Sequence, residues 1–125
     1  MANEINYQLS VTVRNSRYRD GYQSDPPVRM DQAIAGGGNP GTVTLIDVEA
    51  AIDFGNVIPG IVVIKNLDAE NDALFRLGAG DYWRIPAGGE SLISDLNGAV
   101  LNGKSSPAVG TGSVSVDCLI KGFAK

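Results

Sequence analysis

The sequence predicts an all-β protein: a single antiparallel β-sandwich, of jelly-roll or Greek-key type, with a long irregular arm near the N-terminus. Three observations predict it. Residues 5–13 place Ile5, Tyr7, Leu9, Val11 and Val13 at every second position, with Asn6, Gln8, Ser10 and Thr12 between them, which is the period of a half-buried strand. Beyond Gly41 short apolar segments alternate with turn residues at close spacing, the mark of a sandwich or barrel. No segment sustains ten residues of 3.6 period, so no helix is expected.

The elements follow in order. A first strand is expected within 1–14. From 15 to 41 the pattern dissolves into a stretch holding Pro26-Pro27 and Gly36-Gly37-Gly38, read as an irregular arm. At most one turn of helix is expected there, around Met30, Ala33 and Ile34. Its length is unusual for a compact domain, and such segments tend to be functional or to order on a partner. The body spans 42–125, in one domain with the rest. Its strands are expected at 43–48, 50–54, 61–64, 73–77, 82–85, 91–96 and 114–120. The connectors include Pro59-Gly60, Pro86 to Gly89, Asn97-Gly98 and Asn102-Gly103. Asn97-Gly98 has the chemistry of a hairpin turn. The run Ile61-Val62-Val63-Ile64 lacks alternation and is expected in mid-sheet with both faces covered.

Composition narrows the function. With 125 residues, the chain is large enough for one core without disulfides or a structural metal. Hydrophobic residues make up 43% and charged residues 19%, and no apolar run reaches the ~20 residues of a membrane span, so a soluble protein is expected. The N-terminal segment has no basic stretch followed by an apolar one and no small-residue cleavage site, so no secretory signal is expected. A net charge of −4 argues against general nucleic-acid or anionic-membrane binding, which needs a surplus of Lys and Arg. Residues 41–100 hold nine acidic side chains against Lys65, Arg76 and Arg84, whereas the first forty balance four of each sign.

Cys118 is the only cysteine, so no intrachain disulfide forms and a reducing cytoplasm is compatible. Histidine is absent. Ser–His, Cys–His and His-based zinc chemistry are thereby excluded, and no catalytic residue, cofactor, metal or small-molecule substrate is assigned.

Several local patterns invite a functional reading. Gly36 to Gly41 formally matches G-x-G-x-x-G, but Pro40 and the β-branched Thr42-Val43-Thr44 follow where a helix should open, so a loop is expected. Asp68, Glu70 and Asp72 alternate as calcium ligands can, yet Ala73 and Ala79 occupy positions where a helical calcium loop needs Gly and Glu; a solvated turn is expected. Tyr82-Trp83-Arg84 suggests a sugar platform, but strict alternation pairs Trp83 with Ile85 on the buried face. Cys118 falls in step with Val114, Val116 and Ile120 as a small apolar residue. The remaining pattern is Arg14, Arg17, Tyr18, Arg19 and Tyr22, where the first strand ends. Nucleic acid can be bound by such residues and a plain solvated loop is the alternative reading, but Arg and Tyr are also the side chains enriched at protein interfaces, and these five are the candidate partner-contact residues.

Two motifs carry a resemblance. Phe54-Gly-Asn-Val-Ile-Pro-Gly-Ile-Val-Val-Ile-Lys-Asn-Leu-Asp, followed by Ile85-Pro-Ala-Gly-Gly-Glu-Ser, resembles small β-sandwich virion structural proteins of tailed bacteriophages over about residues 42–121. The resemblance implies a capsid decoration or cement protein, assembled in the host cytoplasm, whose partners are the major capsid protein or other virion proteins. It implies a homo-oligomer, with a trimer among the candidate states. Neck, tail and fibre modules, including carbohydrate-binding ones, belong to the same group and remain the alternative. It brings no catalytic residues.

Overall fold

In the computed structural model, which describes residues 5–15, 18–24, 28–30, 37–106 and 114–124, every regular element is a strand and every pairing is antiparallel. The chain divides into two compact units, Met1–Ala35 with Lys125, and Gly36–Ala124.

The first unit is a nested two-stranded ribbon. β1 (Ile5–Tyr7) pairs with β4 (Val28–Met30), and β2 (Ser10–Asn15) with β3 (Tyr18–Gln23). The single expected strand is thus broken at Gln8 and Leu9. Ser24 joins the two halves: its N–H donates to the Leu9 carbonyl at 2.8 Å, and its Oγ accepts from the Leu9 N–H at 3.1 Å. The expected irregular arm over 15–41 therefore contains β3, β4 and the start of β5. Alternation failed to reveal β3 because its sequence, Tyr-Arg-Asp-Gly-Tyr-Gln, holds no sustained apolar period. Met30 ends β4, while Ala33 and Ile34 lie outside the described residues.

The second unit holds two four-stranded sheets. One has the order β10-β7-β12-β5, from β10 (Glu90–Ile93), β7 (Pro59–Asn66), β12 (Val116–Ala124) and β5 (Gly37–Leu45). The other has the order β6-β11-β8-β9, from β6 (Ala50–Ala51), β11 (Leu101–Ser106), β8 (Asp72–Leu77) and β9 (Trp83–Ile85). Both contribute to a single buried cluster: Leu45, Val62, Ile64, Val116, Cys118 and Ile120 from the first, Ala73, Phe75, Ile85 and Leu101 from the second. β12 alternates strictly between buried and more exposed positions, as its sequence period demands.

Three expectations fail for identifiable reasons. Gly37 to Gly41 is strand rather than loop, because β5 lies at the sheet edge, where proline needs no ladder partner on its outer side. β11 was missed because Asn102-Gly103 reads as a turn. Gly103 instead occupies mid-strand, where a Cβ would lie 2.8 Å from the Phe75 ring, so the missing side chain makes room for an aromatic one. β7 is central, but only part of its apolar run is covered on both sides: Ile61 and Val62 are buried, whereas Val63 is 41% exposed. At Asn97-Gly98 both residues have positive φ, 50° and 75°, and the Ala99 N–H closes the turn on the Leu96 carbonyl. The turn chemistry is as expected, yet it links β10 to β11 in different sheets rather than closing a hairpin.

Candidate functional site

The five sequence-selected residues lie on or beside the β2–β3 hairpin. The register sets Arg14 opposite Arg19, Asn15 opposite Tyr18, and Val11 opposite Tyr22. Arg17 lies outside the described residues, as do the side chains of Tyr18 and Arg19. Arg14 is exposed, and Tyr22 is 63% exposed. Around Val11 and Tyr22 the ribbon forms a shallow hollow lined by Ser10, Thr12, Gly21 and Gln23. Gly21 is required in this ribbon, since a Cβ there would approach the Val11 carbonyl oxygen to 2.5 Å.

The two motifs behind the resemblance meet in space through Asn66, which the sequence marks only as part of the turn that leaves the strand. Asn66, at the end of β7, is fully buried. Its Nδ2 donates to the carbonyls of Asn71 (2.9 Å) and Ile85 (3.1 Å), its Oδ1 accepts from the Asp68 N–H (2.9 Å), and its own N–H donates to the Gly89 carbonyl (2.9 Å). Asn66 therefore ties the connection after β7 to the turn at 86–89, which is itself closed by the Gly89 N–H on the Pro86 carbonyl.

Asp68 is the cap of that same connection. Its Oδ2 accepts from the N–H groups of Glu70 and Asn71, and these bonds, that of Asn71 foremost, hold its pKa below the usual carboxylate value. Asp72 is paired with Arg84 at 2.7 Å and accepts from the Ala87 N–H. The Asp68–Glu70–Asp72 series is thus a turn whose first and last carboxylates bind the protein itself.

On β6-β11-β8-β9 the outward side carries a polar–aromatic cluster. The Arg76 guanidinium donates to both carboxylate oxygens of Glu49, at 2.6 and 2.7 Å, and the Tyr82 hydroxyl donates to the same carboxylate at 2.7 Å. Arg76 and Lys104 each place their charge 4.6 Å from the Tyr82 ring centroid, within cation–π range. Arg76 and then Tyr82 lower the Glu49 pKa, and Glu49 in turn raises that of Tyr82. No short-range pattern pointed to Glu49, because strand pairing alone brings it to Arg76. The hydrogen-bond donors converge on one carboxylate, so the cluster anchors the β5–β6 connection to the sheet.

Trp83 shares the inward side with Ile85, as alternation predicts. It packs against the core with its ring centroid 6.1 Å from that of Phe75, and its indole N–H is buried with no partner among the described residues. Cys118 is buried, and burial pushes its thiol pKa up to about 11, the opposite of what an activated nucleophile needs.

Comparison with models of known protein families, with curated proteins and with solved structures finds no match.

Proposed function

We propose that the chain is a non-enzymatic structural protein of the tailed-phage virion, a capsid decoration or cement protein that stabilises the shell by contact with the major capsid protein. The body is read as a jelly-roll sandwich. Strand order is the observation that supports this reading. With β5-β12-β7-β10 in one sheet and β6-β11-β8-β9 in the other, every connection within the body passes between sheets except the β8–β9 link, which is jelly-roll connectivity, an architecture recurrent in capsid proteins.

Fold alone carries no function. The structural role is supported further by where the body's polar groups go: Asn66, Asp68, Asp72 and Glu49 all bind other parts of the chain. The mechanism is additive burial, roughly 25 cal/mol per Å² of apolar area, repeated over the many copies of a shell. The alternative of a tail or fibre module binding carbohydrate at Tyr82, Trp83 and Arg84 has less support. The Tyr82 hydroxyl is committed to Glu49, and Trp83 faces the core.

Co-sedimentation of the purified protein with empty phage capsids tests the proposal. Saturation at one copy per coat subunit, or a simple fraction of it, is the expected result; a handful of copies or none overturns it.

A further inference from the structure

The two sheets of the body turn different sides outward. On β6-β11-β8-β9 the outward charges are bound within the sheet: Arg84 donates to Asp72 and to Ser106, Arg76 and Tyr82 donate to Glu49, and Lys104 lies over the Tyr82 ring. On β10-β7-β12-β5 the outward side is apolar. Val62 and Ile64 of β7, and Cys118 and Ile120 of β12, belong to the core cluster, so alternation turns Val63, Leu119, Lys121 and Phe123 the other way. The register sets Leu92 of β10 beside Val63. Val63 is 41% exposed, Leu92, Leu119 and Phe123 are half-buried, and none of the four packs against the core cluster. A contiguous apolar patch on the outside of a sheet whose other side already covers a core marks a surface that another molecule covers.

Lys121 indicates the chemistry of that molecule. It is exposed, its register partners are Val63 of β7 and Pro40 of β5, and Leu119 and Phe123 flank it along β12. No ion pair joins it to an acid among the described residues. Its ammonium is hydrated while the side is open to water. Under a cover it becomes a buried cation, which is costly unless a carboxylate pairs with it. A purely apolar cover is therefore disfavoured, and a nucleic-acid backbone brings the anion without the apolar area.

We propose that the outward side of β10-β7-β12-β5 is the surface by which this protein docks on the coat subunit, and that the coat subunit meets it with an apolar surface carrying a carboxylate set against Lys121. The inference rests on the virion reading. It deepens that reading by assigning the contact to one side of one sheet and by stating what the coat must offer there. Lys65, 3.6 Å from Glu90, already has its acid and lies toward the rim.

Lysine acetylation by an N-hydroxysuccinimide ester, read by mass spectrometry on the unaltered protein free and bound to empty phage capsids, tests it. Lys121 is expected to react at least tenfold more slowly on the capsid, and Lys104, on the other sheet, at its free rate. Co-sedimentation with variants supplies a second readout. Lys121→Glu should weaken capsid binding at least tenfold and Val63→Thr at least threefold, whereas Lys121→Arg keeps the charge and the binding; Trp83 emission checks that each variant is folded. Unaltered protein that fails to sediment with capsids overturns the virion reading and this inference with it. Protein that sediments, yet whose Lys121 reacts as fast bound as free, or whose folded Lys121→Glu variant binds unchanged, overturns this inference alone. So does slow reaction of Lys121 in concentrated protein without capsids, because a second copy then occupies the side.

Discussion

Replacing Asn66 by alanine removes three side-chain hydrogen bonds at once: two donated to the carbonyls of Asn71 and Ile85 and one accepted from Asp68. At about 1 kcal/mol net for each, the loss is about 3 kcal/mol. The bond to Ile85 is fully buried, so a stranded acceptor and a small void bring the total to about 3–4 kcal/mol. Domain stabilities are only about 5–15 kcal/mol, which makes this a severe change. Urea unfolding followed by the emission of Trp83, the single tryptophan, reports on the body directly. The midpoint should fall sharply with an unchanged slope. Asn66→Asp keeps the shape and the acceptor but sets a carboxylate against two carbonyls, so it should be at least as damaging at neutral pH and recover in part on acidification. A loss below about 1 kcal/mol for the alanine variant refutes the view that Asn66 holds the two motifs together.

Gly103→Ala drives a methyl group to 2.8 Å from the Phe75 ring and should cost about 1–3 kcal/mol by overpacking, which Phe75→Leu in the same chain should relieve in part; a midpoint unmoved by Gly103→Ala would contradict the packing argument. Glu49 and Asp68 have pKa values lowered by folding, so their contribution is present above the ordinary carboxylate range and fades as pH falls through the folded values; thermal melts should show an acid limb that Glu49→Gln flattens. Tyr82, raised by its bond to Glu49, contributes below the usual phenol pKa and loses that contribution as pH climbs past the raised value, which ultraviolet titration of the folded protein against Tyr82→Phe would reveal. Cys118 should resist a thiol reagent in the folded protein and react once per chain in denaturant; rapid labelling without denaturant would show that β12 opens.

The motif residues were visible in the sequence, but their purpose was not. Asn66-Leu67-Asp68 and Pro86 to Gly89 stand out as turn chemistry, yet only the pairing of β10 with β7 brings the two turns within reach of one amide. Glu49 had no signal because Arg76 is 27 residues away, and a salt bridge between strands leaves no mark at short range. The hairpin residues were picked out by composition, and the register of β2 with β3 then showed that two of the arginines face each other.

By itself, the sequence determined the all-β class, the inward sides of β9 and β12, and the conformation at Asn97-Gly98, because alternation and positive φ are properties of a few neighbouring residues. Tertiary structure decided that Gly37 to Gly41 is strand, that Leu101–Ser106 is β11, and that the turn at 97–98 changes sheets. Glycine and proline are turn signals only until a neighbour takes the space or the edge they leave. For Gly103 that neighbour is Phe75, 28 residues earlier in the chain, and for Pro40 it is β12, at the far end of the same sequence.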